Sequence, residues 1–208
     1  MILPIPNSQG PRALPPHPLP GQILPGLIRG RIHEICGPAR VALALMTLAL
    51  SDGPVIWVAP SWLPERLYTC GIRDHLHPGR LVLVQCRRAE EIQWAAEEAL
   101  RSGTAPAVVA EYPSPPGLTA VRRLHLAAET PGQSGHPAPL GLVLTAGDGG
   151  AQGVESRWQA HALPSPSGLR DEAGVALGIT LLRARQAAPA RWRLIRPAKG
   201  PTSATPAP

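Results

Sequence analysis

The residues nearest to carrying chemistry are Gly37, Pro38, Ala39, Arg40, Val41 and Ala42, at the junction of an apolar strand-like run and an Ala/Leu run of helical length. A turn of that kind cradles phosphates when glycines let several backbone N–H groups converge and a Lys followed by Ser/Thr engages phosphate and Mg²⁺. Here the turn is short and lacks the second glycine, the Lys and the hydroxyl. Arg40 is its only cation, and the bulky Val41 follows it. A closed, packed loop is therefore the expectation.

Other constellations are weaker. His75 and His77 flank Leu76, a spacing that could put two imidazoles on one side of a strand, but no third ligand completes a metal site and a solvated loop is expected. Cys36, Cys70 and Cys86 match no metal template and read as buried thiols of a reducing compartment. Gly147, Asp148, Gly149 and Gly150 look like a phosphate loop, yet no helix follows them. There is no GxSxG nucleophile context, and no paired carboxylates stand apart from a surface helix. Hydrolase chemistry has no support.

The arginines near the end of the chain are a further candidate. If Ile179 to Arg185 and Arg191 to Ile195 pair across a turn centred on Ala188, Arg185 faces Arg191 and Arg183 faces Arg193, leaving Leu182, Ala184, Trp192 and Leu194 on the other face. Like charges opposite one another on a sheet are destabilising unless solvent or an anion relieves them. The four guanidinium groups are thus either a solvated edge or a binding site for an anionic partner or DNA phosphate.

Elements must position these groups. The 208 residues suit one α/β domain, with 27 prolines and 21 glycines concentrated in the ends and loops. Residues 1–22 read as a proline-rich disordered arm, 23–197 as the domain and 198–208 as a disordered tail. The start of the chain lacks a basic region and a continuous apolar run, so neither a secretory signal nor a membrane span is expected, and the protein is expected in the cytoplasm. The net charge of +6 is uneven: residues 1–155 carry 12 basic and 12 acidic side chains, whereas 156–208 carry 8 basic residues against Asp171 and Glu172. Attraction for an anionic partner belongs in that last quarter.

Strands are predicted at 31–36, 55–59, 81–86, 107–110 and 140–146. Helices are predicted at 39–50, in a short segment capped by Ser61 and running through Tyr68 to Gly71, at 89–102 closed by Gly103, and at 118–129. This alternation calls for a parallel sheet with helices on both faces. After Gly150 the rhythm changes, and strands at 157–163, 179–185 and 191–195 fit an antiparallel extension. Trp57, Trp94, Trp158 and Trp192 fall on apolar faces and read as core, with Trp62 more exposed.

In order, these segments resemble the RecA core, best in GRIHEICGP followed by ALALMTLAL, in EEALRSGTAPAVVAE, and in the closing pair ITLLRAR and RWRLI. More narrowly, the tryptophan in VIWV, the sequence WAAEEALRSG and the helix VRRLHLAAE resemble the ImuA family, RecA-like accessories of bacterial mutagenic translesion synthesis. The resemblance implies a mixed, mainly parallel α/β sheet with antiparallel C-terminal strands. It also implies an accessory role in SOS-type DNA damage tolerance, with an ImuB-like Y-family polymerase homologue and an error-prone C-family polymerase as partners, and RecA or single-stranded DNA as further candidates. An active ATPase of this fold would carry a carboxylate after the second strand, where this chain has Pro60 and Ser61. Glu111, ending the fourth strand, is its one acid placed to direct a metal. Nucleotide binding through Arg40 and Glu111 would ask one pair of side chains to replace a nest of backbone donors. The expectation is a non-catalytic protein without cofactor or metal. In a RecA-like protein the loop after the fifth strand contacts DNA, but this one is short and has no basic residue through Gly153. Arg183 and Arg185 match a segment by which RecA subunits reach a neighbour's nucleotide. The alternatives are a RecA-like NTPase with an unusual site and an SOS cell-division inhibitor-like protein.

Overall fold

The computed structural model describes residues 24–164, 174–197 and 202–207. The expected arm at 1–22 lies outside the described residues. Nine strands form one sheet: β1 (Ile32–Cys36), β2 (Val55–Pro60), β3 (Leu81–Cys86), β4 (Ala107–Glu111), β5 (Leu140–Thr145), β6 (Ser156–Ala162), β7 (Val175–Ala184), β8 (Ala190–Arg196) and β9 (Ser203–Pro206). Their spatial order is β3-β2-β4-β5-β1-β6-β7-β8-β9. The pairs from β3 through β6 are parallel, and β7, β8 and β9 continue antiparallel. This is the mixed sheet expected, except that β6 belongs to the parallel part, beside β1. A further difference is β9. In place of the disordered tail expected at 198–208, Ser203–Pro206 pairs with β8.

Helices cover both faces. On one, α1 (Arg40–Leu48) and α2 (Thr69–Arg73) pack with Trp57, Val109, Leu144 and Trp158. On the other, α3 (Ala89–Ser102) and α4 (Leu118–Gln133) bury Ile92, Leu100, Val121 and Leu124 against Val108 and Val143. The central strands supply apolar side chains to both layers, as parallel strands buried on both faces must. In α3 the Glu91 side chain reaches back to the N-cap backbone, and Gly103 closes the helix in the left-handed conformation at φ 63°. Past the expected end of α4 at Glu129, the helix runs on to Gln133 with Pro131 buried in its last turn, where proline removes the N–H that would bond to the Ala127 carbonyl.

Two burial expectations fail. Trp94 lies on the outer side of α3 and is 65% exposed, and Cys70 is exposed while Cys36 and Cys86 are buried. The short helix starts at Thr69, with Tyr68 rather than Ser61 at its N-cap. No described helix is long and apolar enough to cross a membrane.

The connection from β5 to β6 shapes the site. Residues 146–155 pass over β1 on the α4 face and place β6 parallel to it, without a helix. Ala151 and Val154 are buried along this path, so the backbone there needs partners that a helix would have supplied internally.

Candidate functional site

At the C-terminal end of β1 the expected phosphate turn is closed on protein. Gly37 takes φ +91°, and a Cβ there would run into the carbonyl oxygen of Ala160 on β6. The Ala39 N–H donates to that same carbonyl at 3.1 Å, and the Arg40 N–H turns back to the Gly37 carbonyl at 3.3 Å. Both donors are spent inside the fold. The Arg40 guanidinium pairs with Glu65 at 2.9 Å and reaches the Gly37 carbonyl at 3.4 Å. Val41 and Ala42 pack against the core as part of α1.

Glu111 ends β4 on the same side of the sheet. It accepts a hydrogen bond from the indole Nε1 of Trp57, which is fully buried on β2. Burial raises its pKa; the Trp57 hydrogen bond and the nearby Arg40 charge act the other way. Thus the structure brings Arg40 and Glu111 within electrostatic reach while giving each a structural partner. Among the described residues no group of three His, Cys, Asp or Glu side chains is placed to hold a metal ion.

His75 and His77 separate rather than converge. His77 caps a single 3₁₀ turn at Pro78–Arg80 by accepting from the Gly79 N–H. His75 accepts from the Arg196 guanidinium, and burial together with that charge pushes its pKa down to about 4.

The glycine-rich turn after β5 is organised by a residue that the sequence reading passed over. Glu34, fully buried on β1, accepts from Thr145 Oγ1 at 2.7 Å, from the Gly150 N–H at 2.9 Å and from the Ala151 N–H at 3.1 Å, and it pairs with Arg157 on β6. Arg157 in turn donates to the Ala151 carbonyl at 2.9 Å. A single carboxylate therefore supplies the acceptors that the helix-free crossover lacks. The available signal was a charged residue inside the apolar run RIHEIC, since burying a charge requires a built partner set. His33 in the same run is also fully buried, bridging Ser156 Oγ at 2.7 Å and the Ile28 backbone. Desolvation holds its pKa down to about 4.

The expected four-arginine face is not formed. The β7–β8 register sets Arg193 opposite Gly178 and Arg191 opposite Thr180, while Arg183 lies opposite Arg157 on β6. Arg185 lies beyond β7 and contacts Glu155 at 3.5 Å. Two observations explain the difference. An irregularity between Arg157 and Trp158 inserts an extra residue in β7, which reverses the inward and outward positions past Leu181. The inward set of β7 is therefore Leu177, Ile179 and Leu181. The adopted register places Ile179 beside Trp192, whose ring lies 5.5 Å from that of Trp158.

On the opposite, outward face of this antiparallel extension lies a cavity of about 550 Å³. Gln159, His161, Thr180, Arg191, Arg193 and Thr205 line it.

Comparison with known proteins returns little. No protein-family profile and no characterised protein matches the chain. Among solved structures it is similar to SulA from Pseudomonas aeruginosa, with 23% identity over 56% of this chain and 98% of that one, at a TM-score of 0.46. A likeness of that degree bears on neither ligand nor activity.

Proposed function

We propose that this chain is a non-catalytic, RecA-like accessory protein of SOS-type DNA damage tolerance, an ImuA-like component that works with an ImuB-like Y-family polymerase homologue and an error-prone C-family polymerase. One observation carries the non-catalytic part. The turn that would cradle phosphate spends its Ala39 N–H on the Ala160 carbonyl, and Arg40 is already paired with Glu65. A nucleotide would have to displace backbone of the neighbouring strand to reach those donors. The accessory role rests on the resemblance of VIWV, WAAEEALRSG and VRRLHLAAE to that family. Large apolar side chains left exposed at Trp94 and Leu126, and at Val82 and Leu83 on the edge strand β3, are surfaces that a protein partner would cover.

The test has two arms. Calorimetry with ATP and Mg²⁺ at millimolar nucleotide should show no saturable heat; saturable binding abolished by Arg40→Ala would establish the NTPase alternative instead. Co-expression with an ImuB-like protein should give a complex that survives gel filtration and is weakened by Trp94→Ala. Absence of any complex would remove the accessory reading.

A further inference from the structure

We infer that the outward face of β6–β9 is a binding site for the phosphodiester backbone of single-stranded nucleic acid, with Arg191 and Arg193 as its phosphate contacts. The inference stands on this groove alone, independently of the accessory-protein reading.

The face is a groove because the helices stop short of it. α3 and α4 cover the parallel strands, whereas the antiparallel extension buries Trp192 and Leu194 inward and is left without a helical layer on its other side. Arg191 and Arg193 project from β8 into this uncovered space, and both are exposed. As i and i+2 residues of one strand they share a face at a separation of roughly 7 Å, a spacing on the order of that between successive phosphates of an extended chain. Thr180 lies opposite Arg191, and Gly178 on one side and Thr205 on the other lie opposite Arg193. Gly178 has no side chain, and the His161 ring occupies the space that a Cβ there would take, packing the imidazole onto the strand within the groove. Farther along the same face stands Arg183, opposite Arg157.

Charge and chemistry select the occupant. Among the described residues no carboxylate pairs with Arg183, Arg191 or Arg193, and no carboxylate lines the cavity. Arg193 makes one long contact, to the Pro164 carbonyl at 3.5 Å. Among the described residues, Asp148 accepts from Gln159 at the groove's margin. Beside the apolar Leu163, Leu182 and Pro206, the lining offers a set of donors: two guanidinium groups, two hydroxyls, an amide and an imidazole. Such a set answers an acceptor-only, repeating anion better than a peptide, whose recognition favours buried aromatic anchors. The exposed aromatic residues Trp62, Tyr68 and Trp94 all lie on other elements of the fold. A groove of this volume admits a short stretch of chain held by its backbone, without base-specific readout.

The test uses the full chain and a fluorescein-labelled oligothymidylate, titrated by fluorescence anisotropy over a range of salt. Wild type should bind at low salt, with affinity falling as salt rises. The double variant Arg191→Gln/Arg193→Gln should lose about tenfold in affinity and flatten the logarithmic salt slope by about 1.4, two single-strand phosphate contacts at roughly 0.7 each. Thr205→Glu, which sets a carboxylate opposite Arg193, should weaken binding in the same direction. Arg122→Gln, on the exposed side of α4, should leave it unchanged. Melting curves accompany each variant, and if the double variant is unfolded, Thr205→Glu decides. The inference is overturned if wild type does not bind the oligonucleotide, if Thr205→Glu or a folded double variant binds with wild-type affinity and salt slope, or if polyglutamate binds in this groove while the oligonucleotide does not.

Discussion

Replacing Glu34 by Ala should cost more stability than any surface substitution, because of what the carboxylate holds. The side chain of Arg157 is only 19% exposed and Glu34 is fully buried, so the variant leaves a largely buried guanidinium without its partner. Breaking one side of a buried pair costs about 3–5 kcal/mol. The Thr145 hydroxyl and the Gly150 and Ala151 N–H groups also lose an acceptor, each worth about 1–3 kcal/mol if water stays out. These terms do not add, since residues 146–155 can lift and admit water once released. A net loss of about 4 kcal/mol follows, or a fall in Tm of roughly 8–16 °C for a chain of this size. Urea unfolding followed by tryptophan fluorescence reads it well, because Trp158 follows Arg157 on β6. A second variant, Glu34→Leu with Arg157→Leu, removes both charges and should recover at least about 2 kcal/mol of the loss. Limited proteolysis should cut within 146–155 in Glu34→Ala before it cuts elsewhere. A loss under about 1 kcal/mol, or no recovery in the double variant, would refute the claim that this carboxylate organises the crossover.

Gly37→Ala should cost about 2–4 kcal/mol, combining a left-handed backbone with a collision against the Ala160 carbonyl; a Tm within a degree or two of wild type would mean the turn is open. Glu111→Leu should lose about 1–3 kcal/mol by stranding the Trp57 indole N–H, whereas Glu111→Gln, which keeps an acceptor, should lose little; chemical denaturation of the two variants checks the difference. His33 stays neutral in the fold down to about pH 4, while the unfolded chain takes up the proton near 6.5. The unfolded state therefore binds more protons in that window, so this contribution is fully present above pH 6.5 and is lost as pH falls toward 4, on the order of 3 kcal/mol in total. His33→Gln should flatten the dependence of stability on pH across that window, and an unchanged slope would contradict the assignment.

Much of the architecture was legible in the chain itself. The near-continuous apolar runs VIWVA and LGLVLTA and the helical periodicity of Ala89–Ser102 each satisfy their own backbone hydrogen bonds or those of an adjacent strand, so local pattern determines them. The absence of a second glycine, Lys and hydroxyl from the turn at Gly37 is likewise readable without coordinates, because a phosphate nest is built from consecutive residues. Pairing register was not. The extra residue in β7 near Leu182 exists only because β6 lies beside it, and it reverses which side chains of Leu182–Ala184 point inward. The β7–β8 register, set by pairing Ile179 with Trp192, keeps Arg183 from standing opposite Arg193 and gathers Arg191 and Arg193 with Thr180, Gln159 and His161 instead. Glu34 shows the same division. Its charge within RIHEIC is visible in the sequence, but its partners Thr145, Gly150, Ala151 and Arg157 lie more than a hundred residues away, and only the crossover of residues 146–155 over β1 delivers them to one carboxylate. Local periodicity decides which residues form an element; long-range packing of Trp158 on Trp192 and the need to satisfy buried backbone groups decide which residues meet.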